Sequence, residues 1–107
     1  MTFECTDHNN YKLVYLVGEI DLSNSAEIRE ALLKLLNDDH SVIVSFAKLD
    51  YIDSSGMATL VEGLNIAKKK DLKLILAEAT GAPLQVLELT RLNQVFTMVN
   101  SLDEVTD

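Results

Sequence analysis

The chain has 107 residues, 48% of them hydrophobic and 24% charged, with 17 acids against 9 Lys and Arg for a formal net charge of −8. That length and apolar fraction predict one globular domain over residues 1–107 and argue against disorder, and the lone Cys5 can form no internal disulfide. The only basic run is Lys68-Lys69-Lys70, no stretch reaches the ~18 apolar residues of a membrane span, and Met1-Thr2-Phe3-Glu4 lacks the start of a signal peptide. Nucleic acid and direct membrane insertion are therefore set aside, and the expected setting is the cytoplasm.

Tyr11 to Val17 is dense in β-branched and aromatic residues and predicts a strand that stops at Gly18. Phe3 to Thr6 suits a short edge strand beside it, with Asp7 to Asn10 as the turn. From Asn24 the period changes: Ile28, Ala31, Leu32, Leu35 and Leu36 form the buried stripe of a helix. Ser23, Asn24 and Ser25 are its candidate caps, and Asn24 with Glu27 has capping-box spacing. Ser41 to Phe46 reads as a central strand buried on both faces, in a sheet covered by helices, followed by a loop over Ala47 to Asp53. Met57, Leu60, Val61, Leu64 and Ala67 then mark a second helix, which ends at the lysine run. Leu72 to Ala77 is a strand, Gly81-Ala82-Pro83 opens a third helix with Leu84, Leu87 and Leu92 on its apolar side, Val95 to Val99 is a last strand, and Ser101 to Val105 a terminal helical turn. The order predicts an α/β fold, a mixed sheet of four to five strands with helices packed on it.

Two strand-to-helix junctions hold the unusual polar residues: Gly18-Glu19-Ile20-Asp21-Leu22-Ser23 and Asp50-Tyr51-Ile52-Asp53-Ser54-Ser55-Gly56. They meet in space if their strands are neighbours. Ser54 directly precedes the second helical stripe and is expected to be its N-cap, a position where a phosphoryl group is also electrostatically tolerated. Asp21 is expected in a turn or cap, Asp53 in a loop bonded to nearby backbone, and Gly56 at a close packing contact. Met57 should line the core or a groove. Ala58, Thr59, Glu62, Asn65 and Ile66 should form the outward face of the second helix and part of a docking surface.

These two junctions, with Leu49 and Met57 flanking the second, and the later Leu87-Glu88-Leu89-Thr90-Arg91-Leu92 together resemble the STAS domain of bacterial anti-sigma factor antagonists, over almost the whole chain. The resemblance implies a STAS-type fold and a non-enzymatic partner switch with no cofactor. It implies that Ser54 is the phosphorylated serine, modified by an ATP-dependent kinase that doubles as an anti-sigma factor and restored by a phosphatase. The unmodified protein would hold the kinase, and the phosphorylated one would let go. Asp21 and Asp53 match acidic positions near the phosphoacceptor, and Ser55 and Gly56 complete the motif. Within the same resemblance stand two alternatives, a subunit of a lipid-transport ABC system and a switch acting on a non-sigma output such as biofilm or motility control.

Other chemistries lack their residues. A receiver domain needs a lysine late in the chain, and none follows Lys73. A serine hydrolase needs G-x-S-x-G and a placed histidine, whereas His8 and His40 fall in turns. No phosphate-binding glycine loop and no Cys/His cluster for zinc occurs.

Overall fold

In the computed structural model, which describes residues 2–106, the first two strands make a hairpin. β1 (Phe3–His8) lies antiparallel on β2 (Tyr11–Ile20), with Phe3 opposite Leu16 and His8 opposite Tyr11. Asp7 and His8 thus belong to the strand and not to the turn, which is reduced to Asn9-Asn10. Asn9 accepts a φ of 54°, a left-handed conformation that asparagine tolerates well. There follow α1 (Ser25–Asn37), β3 (Val42–Ile52), α2 (Ser54–Lys69), β4 (Leu74–Ala77), α3 (Gly81–Leu89) and β5 (Thr97–Val99), with short 3-10 turns at Leu92–Gln94 and Leu102–Glu104.

The five strands lie side by side in chain order, and every pair after the hairpin is parallel. Crossovers of one hand between successive neighbours place all the helices on the same side. The core divides accordingly. Ile28, Leu32 and Leu36 of α1, Met57, Leu60, Leu64 and Ala67 of α2, and Leu87 of α3 pack on Val14, Leu16, Val44, Phe46 and Leu76. The other face carries Tyr11, Leu13, Ile43, Ile75 and Ala77, and it is covered by Val105 and Leu102 of the C-terminal segment instead of by helices. His8 Nε2 bonds the Leu102 carbonyl (3.1 Å) and Asn9 Nδ2 donates to the Val105 carbonyl (2.8 Å), which fixes that segment in place. The expected double burial of Ser41 to Phe46 is therefore met by different means on the two faces.

The main departure from expectation is the length of β2 and β3. β2 runs through Gly18 to Ile20, and β3 runs through the expected loop to Ile52, pairing Gly18 with Leu49 and Ile20 with Ile52. The register slips between Tyr15 and Val17 and again between Gly18 and Glu19. Gly18 takes a φ of 76° with nothing near its α-carbon face, so glycine serves the irregularity by conformation and not by lack of bulk. Since β4 pairs only with Val42 to Ser45, the upper halves of β2 and β3 project beyond the rest of the sheet.

Smaller departures have local causes. β4 and β5 begin two residues later than their apolar runs, and Leu92 falls past α3, which ends where the Thr90 hydroxyl donates to the Val86 carbonyl. The Asn24–Glu27 capping box does not form, because the Asn24 side chain is engaged in the loop before α1. The terminal turn has such a box, between Ser101 and Glu104.

Helix α1 packs against α2 at Gly63, where an added β-carbon would lie 2.6 Å from Leu32 Cδ2. Gly63→Ala should lower the unfolding free energy in urea by about 1 to 3 kcal/mol, the usual penalty of overpacking. In a Leu32→Ala background the same change should be neutral or stabilising by up to about 1 kcal/mol, since the obstructing methyl is gone and alanine favours helix.

Candidate functional site

Parallel pairing of β2 with β3 sets the two polar junctions side by side, as expected. Ile20 stands opposite Ile52, and the Asp53 N–H donates to the Ile20 carbonyl at 3.0 Å. The first junction is a braced turn. Asp21 Oδ1 accepts from the Ser23 N–H (2.9 Å) and hydroxyl (2.6 Å), and the Asp21 carbonyl accepts from the N–H groups of Asn24 and Ser25. Asn24 completes it, accepting from the Asp21 N–H and donating to the Glu19 carbonyl, both at 2.8 Å. Asp21 is thus a turn-forming residue, as its type and position suggested.

The second junction corrects one expectation. The N-cap of α2 is Asp53, not Ser54. Capping requires extended backbone at the residue before the helix, and Asp53 has it at φ −98° and ψ −173°, whereas Ser54 is already the first helical residue. Asp53 Oδ1 accepts from the Ser55 N–H (2.9 Å), the Gly56 N–H (3.3 Å) and the Ser55 hydroxyl (2.6 Å). These bonds hold its carboxyl below the ordinary carboxylate range. The Ser55 hydroxyl contributes most, partial burial opposes it, and the N–H groups of Gly56, Ser55 and, from the neighbouring turn, Leu22 assist. Ser54 is exposed, and its hydroxyl has no hydrogen-bond partner among the described residues.

Gly56 is the close contact expected of it. An added β-carbon would lie 2.6 Å from Ile52 Cγ1 and 2.9 Å from Ile20 Cγ2, so the start of α2 sits directly on the ends of both strands. Met57 is buried in the helix-side core. Glu62 is half-buried and held by Arg29 of α1 through two bonds of 2.7 Å, which keep its carboxyl below its usual range. The outward face of α2 is narrower than expected: Ala58 and Asn65 are exposed and Ile66 half-buried, but Thr59 is buried, its hydroxyl turned back onto the Ser55 carbonyl at 3.2 Å. Glu19 and Asp50 are exposed on the projecting strand ends, with Glu19 beside Tyr51.

This architecture is that of a known family, whose sequence profile, the STAS domain, matches residues 2–105. The chain belongs to the STAS domain family. Solved structures share its fold at low identity. An anti-sigma factor antagonist from Mycobacterium paratuberculosis superposes with a TM-score of 0.87 at 20% identity, covering 96% of this chain and 88% of that one. An anti-sigma factor antagonist from Thermotoga maritima, described as putative, gives 0.84 at 18%, covering 95% and 89%. The Bacillus cell fate determinant SpoIIAA, in its phosphorylated form, gives 0.75 at 17%, covering 96% of both chains.

Among the described residues of this STAS domain four large apolar side chains are exposed, Leu22 (80%), Tyr51 (44%), Leu89 (84%) and Val95 (49%); Leu22 and Tyr51, which lie on the two junctions, escaped the reading of the sequence. The available signal was an apolar residue between Asp21 and Ser23 in a turn. A cavity of about 490 Å³ lies elsewhere, between the C-terminal half of α2 and the start of β4, lined by Leu64, Lys68 and Leu74 among others. No described helix is long and apolar enough to cross a membrane.

Asp53 makes the stability of this domain pH-dependent in a definite direction. Its folded-state pKa lies below the unfolded value of about 3.9, so its contribution is complete above that value and is lost as pH falls through the folded pKa. Asp53→Ala should lower the thermal midpoint at pH 7 by several degrees, the ordinary effect of a lost cap, and the gap to wild type should narrow as pH falls below about 4. Asp53→Asn, which keeps an acceptor oxygen, should lose less at pH 7. A gap that stays constant from pH 7 to pH 2 would contradict the assignment.

Proposed function

We propose that this STAS domain is a phosphorylation-controlled partner switch of the anti-sigma factor antagonist type. It is a non-enzymatic cytoplasmic protein. It binds an ATP-dependent serine kinase that acts as an anti-sigma factor while Ser54 is unmodified, leaves it when Ser54 is phosphorylated, and is reset by a phosphatase. The observation that carries this reading is the Ser54 hydroxyl: exposed, free of hydrogen bonds to described residues, and next to the cap of α2.

A kinase needs a hydroxyl that it can reach and that the fold can spare. Ser54 offers both, because Asp53 satisfies the amides at the start of α2. Ser55 offers neither to the same degree, since its hydroxyl is half-buried against the Asp53 carboxylate and its modification would undo the cap. The consequence of the phosphoryl group is electrostatic. Up to two negative charges would appear beside an ionised Asp53, on a surface that already carries Glu19, Asp21 and Asp50. A partner fitted to the unmodified hydroxyl would have to strip water from these charges and make room for the group, a cost that loosens the contact. Release then requires no refolding of the domain. Asp21, Asp53, Ser55 and Gly56 give the docking surface its shape, Met57 seats the helix, and Glu62 extends the surface along α2. The names of the structural relatives, anti-sigma factor antagonists, and the occurrence of one in a phosphorylated form support the same reading.

The test is incubation with ATP and the serine kinases of the ATP-binding anti-sigma type encoded in the same genome, followed by phosphosite mapping. The expected product carries phosphate on Ser54. Ser54→Ala should abolish labelling and Ser55→Ala should retain it. Labelling of Ser55 alone, or of neither residue by any of these kinases, would overturn the proposal.

A further inference from the structure

We infer that Leu22 is the apolar anchor of the docking surface, and that the partner presents to it an apolar pocket rimmed by basic side chains; this rests on the partner switch proposed above. A single exposed leucine is ordinary on a protein surface and implies nothing by itself. Leu22 differs in how it is held. Its side chain is 80% exposed, yet the turn that carries it is braced by six hydrogen bonds. Asp21 Oδ1 holds Ser23 through two bonds, the Asp21 carbonyl takes two N–H groups, and Asn24 ties the Asp21 N–H to the Glu19 carbonyl. The turn is set against the second junction, where the Asp53 N–H donates to the Ile20 carbonyl. A large apolar side chain offered to solvent from a braced turn has little backbone freedom left to lose on binding, which favours a buried anchor.

The chemistry of the partner follows from what surrounds the anchor. Glu19, Asp21, Asp50 and Asp53 lie on the same two junctions and the strand ends that lead into them, and no lysine or arginine occurs in residues 18–24 or 49–57. A surface that covers Leu22 must therefore bring cations near these carboxylates and an apolar hollow for the leucine. The Asp53 N–H bond to the Ile20 carbonyl sets the anchor's turn beside the switch, so a phosphoryl group at Ser54 changes the surface on which the anchor stands.

The experiment measures, by calorimetry, the affinity of unmodified wild type, Leu22→Ala and Leu22→Met for the kinase that labels Ser54. Leu22→Ala should weaken binding about tenfold or more, Leu22→Met should stay within about twofold, and all three thermal midpoints should agree, because the side chain is solvent-exposed and the bonds that brace the turn come from its neighbours. Binding of Leu22→Ala within about twofold of wild type, with Ser54 still labelled, would overturn the anchor and leave the switch standing. A loss of affinity matched by a fall in thermal midpoint would also overturn it, by marking Leu22 as structural. If the wild type neither binds nor is labelled by any such kinase, the switch itself fails and the anchor with it.

Discussion

Asp53 follows a long strand with its backbone still extended, its N–H bonded to the neighbouring strand and its carboxylate to the first turn of a helix. It closes α2 by accepting from Ser55 and Gly56, and its own N–H donates to the Ile20 carbonyl at the end of β2. Three features of the surface depend on this one residue. The helix starts where it does, the junction after β2 is tied beside it, and the Ser54 hydroxyl is released from capping duty and left to solvent. A serine in the capping position would have its hydroxyl bonded to backbone, less available to any enzyme and harder to modify without loosening the helix.

The site stands on a step in the sheet. β4 and β5 are short, whereas β2 and β3 continue past them to Ile20 and Ile52. Those two isoleucines are buried, and Gly56 lies against both, so α2 begins directly on top of the projecting strand pair. The arrangement raises Glu19, Asp21, Asp50 and Ser54 onto one prominent end of the molecule. The net charge of −8, which first argued only against nucleic acid and anionic membranes, acquires a local meaning there. The acids gathered at this end suit a partner with basic side chains, and a phosphoryl group at Ser54 would disturb the fit of that partner by its bulk and its hydration.

Much of this was legible in the sequence, for identifiable reasons. The stripes Ile28, Leu32, Leu36 and Met57, Leu60, Leu64 are regular enough to place two helices and their buried faces. The adjacency of the two junctions followed from successive parallel strands, and Gly56 was recognisable as a contact glycine. The upper half of β3 was hidden because its buried residues Phe46, Leu49 and Ile52 recur every three residues, a spacing that departs from the two-residue period of a strand and that the register slips against β2 accommodate. The cap was misplaced by one residue because Asp53, Ser54 and Ser55 are three good capping types in succession, and only backbone conformation separates them. Leu22 was overlooked because its importance lies in the bonds around it. Cover for the second sheet face was sought in helices, when a C-terminal segment held by His8 and Asn9 provides it.

The account turns on the division of labour between Asp53 and Ser54, and thermal unfolding of Ser54→Ala at pH 7 tests it most directly. If the Ser54 hydroxyl bears no structural role, the thermal midpoint should stay within about a degree or two of wild type, as for other exposed substitutions. A fall of several degrees, the size expected for a lost helix cap, would show that Ser54 holds the helix and would contradict the account.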